Sequence, residues 1–356
     1  MRKTTAISAL ILVVGCPVAT AHHSKVAFYH LDTISEIEGE VTRIMWQNPH
    51  IRFWIDTTTA GELVTWEVES TPPGILERHG IGPDVLAVGQ TIRIAGTPGR
   101  NDMHTMDVTN ILMPDGREVL IQRDAEPRWS DETIGWGAAG FSNSDVEAAE
   151  ALSSGIFRVW SRDFGISRGR FGRSSYPLTE AARTFQQDYD PIADNPIPGC
   201  TPKGMPYIMN QPYPVEFIDN GDRIQFRIEE YDLTRTIYMA DQAIPESNTP
   251  LGHSVGHWDG NSLVVSTSAI LEPYFNALGI LLSDAADVEE RFELSQDQAR
   301  LNYRLTVTDP ATFTEPVSLE RYWLWRPGEI IQPFECVEAG GLVAATRRAG
   351  PREDRS

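Results

Sequence analysis

The chain is short of positive charge, of cysteine and of long apolar runs, and each shortage excludes something. Its 356 residues hold 30 basic side chains against 50 acidic ones. Binding to nucleic acid or anionic lipid depends on Lys and Arg displacing counterions, so such a surface disfavours both partners. Only 3 cysteines occur, which excludes a disulfide-dense scaffold. No stretch approaches the ~20 consecutive apolar residues that a transmembrane helix needs. No βαβ rhythm is present, which argues against a dinucleotide fold.

What is present begins with an export pattern. Arg2 and Lys3 precede an apolar run over 6–15, and Ala19-Thr20-Ala21 is a small-x-small cleavage site. A signal peptide over 1–21 is expected, with the mature chain starting at His22 and lying in the periplasm or outside the cell. A lipoprotein box at Leu12-Val13-Val14-Gly15-Cys16 is the competing reading, and Pro17 fits it poorly. Cleavage leaves 28 basic against 50 acidic residues, a net of −22. It also leaves Cys200 and Cys336, which the oxidising compartment predicts to be a disulfide.

Periodicity predicts a mainly β chain of two barrels. Within 22–121, three strands, a short helix at 73–79 and two strands follow the order of an OB-like barrel. A polar, Gly-interrupted connector spans 122–175, with Ser144 and Glu147 as a capping box. From 176 to 345, a proline-rich lead-in precedes about eight strands, including one at 330–336. These predict an antiparallel, up-and-down barrel of calycin or lipocalin type. Residues 346–356 read as a disordered tail. The Arg-Gly run at 168–173 is expected to be a solvated or internally paired loop.

Two resemblances cover most of the mature chain. Ala21-His22-His23-Ser24 and Trp46-Gln47-Asn48-Pro49-His50 resemble a bacterial exported domain family of unknown function. Several stretches of the C-terminal half resemble a second uncharacterised secreted family. They include Pro212-Tyr213-Pro214-Val215-Glu216-Phe217, Gly252-His253-Ser254-Val255-Gly256-His257-Trp258-Asp259-Gly260, Glu289-Glu290-Arg291-Phe292 and Thr308-Asp309-Pro310. His257 and Asn261 depart from that pattern, where Arg and Asp are expected. The half is more remotely similar to lipocalins. That likeness implies Trp160 as a barrel-floor tryptophan, with Arg321 or Arg326 stacked on it. Neither family's resemblance implies an activity.

Candidate chemistry falls in three places. Gly252-His253-Ser254-Val255-Gly256 matches a nucleophile elbow, but a hairpin rather than a helix should follow it. His253 and His257, four apart on a strand, share a face. With Arg235, Trp258, Tyr303 and Trp323 they are the candidate ligand-binding residues, and His253 and Glu290 are the candidate acid/base groups. His22 and His23 could hold Cu(II) through the new α-amine and an imidazole, with His50 or His104 completing the site. Residues 24–121 carry seven basic against fourteen acidic side chains, a net of −7 that speaks against a nucleic-acid groove. The expectation is an exported protein that binds a small apolar or amphipathic molecule, with copper as a candidate cofactor. The alternative is a periplasmic isomerase, cyclase or hydrolase working in the C-terminal barrel. A third reading is a structural envelope protein whose barrels are both solid.

Overall fold

A computed structural model describes residues 28–100, 103–136, 142–161, 175–190, 194, 200–239 and 247–337. The chain is mainly β, with a closed five-stranded barrel followed by a nearly closed nine-stranded one. The signal segment and the tail at 346–356 lie outside the described residues, as does the Arg-Gly run.

The first barrel uses β1 (Ser35–Met45), β2 (Arg52–Thr59), β3 (Glu62–Glu69), β4 (Thr91–Pro98) and β5 (Thr105–Leu112). Their order is β3-β2-β1-β4-β5, and a parallel β3–β5 pairing closes the ring. Alternation along these strands turns Val41, Phe53, Ile55, Ile92, Ile94 and Val108 inward, where all are buried. A two-residue turn at Ala60-Gly61, both with positive φ, joins β2 to β3. Gly39 lies where β1 crosses β2, and a Cβ there would sit 2.3 Å from the Asp56 carbonyl. The helix α1 (Pro73–Glu77) covers the barrel with Ile75 and Leu76 buried. The strands β6 (Glu118–Leu120) and β7 (Thr133–Ile134) extend the sheet beyond β5.

A helix α2 (Asn143–Leu152) follows. Its cap is Ser142, which accepts from the Asp145 N–H, two residues earlier than the Ser144 box predicted. The second barrel starts within the connector, at β8 (Val159–Trp160). After α3 (Glu180–Asp188) come β9 (Val215–Asp219), β10 (Arg223–Ile228), β11 (Leu233–Tyr238) and β12 (His253–Asp259). The remaining strands are β13 (Ser262–Ser268), β14 (Asp287–Leu294), β15 (Arg300–Thr308) and β16 (Val317–Leu324). They pair in sequence order, and two backbone hydrogen bonds of 2.9 and 2.8 Å between Ser161 and Leu324 bring β8 against β16.

Three features differ from the expected up-and-down barrel. β11 and β12 pair in parallel. Arg158, rather than Arg321 or Arg326, stacks on Trp160, its guanidinium carbon 4.6 Å from the ring centroid. Residues 330–336 form no strand. Pro333 removes a ladder donor, and the N–H groups of Gln332 and Phe334 go to the carboxylates of Glu229 and Asp232. The segment instead straps the second barrel to the first, ending in the Cys200–Cys336 disulfide and a bridge from Cys336 to Asn48.

The junction between the barrels is charged and buried. Arg78, just after α1, donates through two nitrogens to Glu229 at 2.9 and 2.6 Å, and through Nε to Glu329 at 2.7 Å. Burial pushes the Glu229 carboxyl above its ordinary range, while the Arg78 guanidinium pulls it down. Beside this pair, Ile75 packs with Tyr213 and Phe334.

Candidate functional site

Strand alternation sorts the candidate residues onto two sides of the second barrel's wall. Arg235, Ser254, Thr267, Glu290, Tyr303 and Trp323 point inward and are all buried. They form one polar knot inside an apolar lumen. Arg235 is ion-paired to Glu290, with side chains 1% and 0% exposed. Arg235 also donates to Ser254 Oγ at 2.8 Å and Thr267 Oγ1 at 2.6 Å. Tyr303 donates its hydroxyl to the other Glu290 oxygen at 2.7 Å. Burial and the neighbouring Glu290 carboxylate both push the Tyr303 hydroxyl well above its ordinary value, so it remains a donor.

Large side chains occupy the space around this knot. Phe217, Phe226, Phe292, Tyr303 and Trp323 form a chain of ring contacts with neighbouring centroids 4.5–5.1 Å apart. One end of the barrel is plugged by 205–211, where Met205, Ile208 and Met209 are buried. Arg321 reaches from the lumen to that plug and donates to the carbonyls of Met209 and Gln211. Two donors in the knot's surroundings, Arg235 Nη1 and Trp323 Nε1, are buried with no acceptor among the described residues. Such groups are places for single buried waters.

His253 and His257 share a face, as their spacing required, and it is the outer one. The neighbouring Ser254 and Gly256 take the buried positions of β12. His253 stacks on Tyr238 at 5.3 Å, and His257 is exposed. The wall of the barrel therefore separates His253 from Glu290. Ser254 is the second residue of β12, 1% exposed, with its hydroxyl committed to Arg235 and Thr267. A hairpin follows it, so the strained strand-to-helix turn of a nucleophile elbow is missing. Trp258 is 44% exposed and meets Phe157 edge-on at 6.2 Å.

Phe157 leads to a groove that the periodicity did not point to. It lies between the end of α2, the β8–β9 edge and residues 325–329, with a volume of about 350 Å³. Leu152, Phe157 and Trp325 supply its apolar lining, and Arg158 and Arg326 supply positive charge. Arg158 is held between the Trp160 and Trp325 rings, 4.6 and 4.0 Å from their centroids. Among the described residues its one hydrogen bond runs from Nη2 to the Gln298 carbonyl at 2.7 Å, and its Nε is buried without an acceptor. Burial lowers the guanidinium to about 10, still well above neutral pH. The Phe-Arg-x-Trp string carried a signal for this site, since Arg158 and Trp160 two apart must share a strand face. Trp325, from the other end of the barrel sequence, could not be foreseen.

The copper candidates are only partly in view. His22 and His23 lie outside the described residues. His50 Nδ1 is 2.6 Å from the Ser70 carbonyl and 3.7 Å from Glu69, while His104 packs against Trp66 at 5.3 Å. Among the described residues, no three His, Cys, Asp or Glu side chains gather as a metal would need. Nor is any helix among them long and apolar enough to cross a membrane.

These features define a two-barrel β protein with a closed polar knot and an external amphipathic groove. Residues 10–107 match the model of a family of unknown function, DUF6152. That match spans β1 to β4 and enters β5 of the first barrel. No curated protein matches the chain.

Proposed function

We propose that this chain is an exported binding protein for a small amphipathic molecule, held in the groove beside Phe157 and Trp325 rather than in the barrel lumen. One observation carries the reading. The lumen's Arg235 and Glu290 neutralise each other, whereas the groove joins open apolar surface to a buried arginine that no carboxylate among the described residues neutralises. Ligand sites combine mostly apolar lining with a few placed polar groups, and this groove has that make-up. The Cys200–Cys336 disulfide supports an oxidising compartment, periplasmic or extracellular. A second exported family remains our reading of the C-terminal barrel.

The enzyme alternative has less support. Its acid and base would have to face one substrate, and His253 and Glu290 face opposite sides of a β-wall. Native mass spectrometry of protein exported with its own signal tests the binding reading. A small molecule carried by the native ion and lost on denaturation is expected. The same spectra give the true N-terminus and any bound copper, which settles the roles of His22 and His23. Turnover that His253→Ala abolishes, with ligand still bound, would instead establish the enzyme.

A further inference from the structure

We infer that the groove is a carboxylate site: it takes a small organic acid whose carboxylate meets Arg158 and Arg326 and whose apolar body lies on Phe157, Trp325 and Leu152. This rests on the binding reading above and adds the ligand's charge and size.

Charge accounting within the groove carries the inference. Three acidic residues also line it; two are ion-paired elsewhere, and the third, Asp219, is exposed to solvent. Glu216 pairs with Arg227 at 2.7 Å, Asp219 accepts from the Gly221 N–H at 2.8 Å, and Glu329 accepts from Arg78 and from Ser161. Arg158 is committed only to the Gln298 carbonyl and to two ring faces, which leaves its charge uncompensated. Among the described residues neither arginine forms an ion pair, and Arg326 donates no side-chain hydrogen bond. Arg158 is 9% exposed, so its charge has lost most of its water without gaining a counter-ion. Burying an uncompensated charge is costly, and two indole faces offset only part of that cost. In a chain with 50 acidic residues, a carboxylate partner was easy to supply. Arg326 offers a carboxylate its planar guanidinium, and Arg158 adds its uncompensated charge beside it. The groove's volume, about 350 Å³, sits at the low end of the ~300–1,000 Å³ of small-molecule pockets, which suits a compact acid rather than a whole lipid.

The test is calorimetric titration of the full-length oxidised protein with octanoate, phenylacetate, 1-octanol and inorganic phosphate. Octanoate and phenylacetate should bind, 1-octanol should bind roughly 10- to 100-fold more weakly, and phosphate should not compete. Arg158→Gln should weaken octanoate by a similar factor and leave 1-octanol unchanged. Arg326→Gln should weaken octanoate by a few-fold, and it carries the test if Arg158→Gln fails to fold by near-UV circular dichroism. Equal affinities for octanoate and 1-octanol would overturn the carboxylate assignment while sparing the groove. So would octanoate binding that neither variant changes. Phosphate competing as strongly as octanoate would overturn the apolar half of the site. A protein that binds neither octanoate nor 1-octanol would sink the groove reading itself.

Discussion

Glu290→Gln is the sharpest perturbation of the second barrel. The side chain is fully buried, and its two oxygens serve Arg235 and Tyr303. Gln keeps the shape and can still accept from Tyr303, but that orientation turns its amide donors toward Arg235, so the change removes the negative charge and sets donor against donor. Arg235 would then be a buried cation with only the Ser254 and Thr267 hydroxyls for company. Breaking one half of a buried pair costs about 3–5 kcal/mol. For a barrel of this size, where 1 kcal/mol moves the melting point by roughly 2–4 °C, the drop is about 6–20 °C. Scanning calorimetry measures it, and near-UV circular dichroism follows the loss of packing around Trp323. Removing the whole knot as Arg235→Met, Glu290→Leu and Tyr303→Phe should recover most of the loss, since a well-packed apolar replacement leaves no unpaired charge. The two hydroxyls left behind can bond to each other, as they do at 3.1 Å in the intact protein. A Glu290→Gln protein that loses under about 1 kcal/mol would refute the closed knot, because a solvated or ligand-filled lumen tolerates the change.

Three further outcomes follow from the same reasoning. Arg78→Ala strands the buried Glu229 and Glu329 carboxylates, should cost about 3–5 kcal/mol, and should split a joint melting transition into separate barrel transitions. Cys200→Ser with Cys336→Ser opens a loop of sequence separation 136, for which chain entropy sets an upper loss of about 5 kcal/mol in urea unfolding. Glu118 is buried; that burial raises its carboxyl, but the N–H groups of Arg128, Trp129 and Ser130 and the Asn110 amide together leave it lower than usual. A lowered folded-state value means stability that is full above the ordinary carboxylate range and lost as pH falls through the folded value. Glu118→Gln should therefore destabilise at pH 7, with the gap to the parent protein closing in acid, as read by urea midpoints.

Much of this fold was legible because a strand with one wet face alternates. Glu289 and Glu290 had to take opposite faces, and the structure puts Glu290 in the lumen and Glu289 outside. The five-strand order of the first barrel followed from its turns. The disulfide followed from the export pattern alone. What stayed hidden has physical causes. β8 is two residues long, too short for any periodicity, so its strand was absorbed into the connector. The 330–336 strap reads as a strand because Ile330, Ile331 and Phe334 are apolar, yet its N–H groups bond to carboxylates instead of to a neighbouring strand. The Arg78 junction joins residues 151 and 251 apart, a separation that no local pattern encodes. The groove was hidden for the same reason, since Phe157, Glu216 and Trp325 meet only when the barrel closes.

On the proposed reading the ligand sits outside the second barrel, over Arg158, and not in its lumen. Photo-crosslinking with a diazirine-bearing medium-chain carboxylate, mapped by peptide mass spectrometry, tests this directly. Labels are expected within 149–159, 216–219 and 325–329, suppressed by excess octanoate and by Arg158→Gln. Labels on the lumen-facing residues of β14 and β15, with the groove untouched, would contradict it.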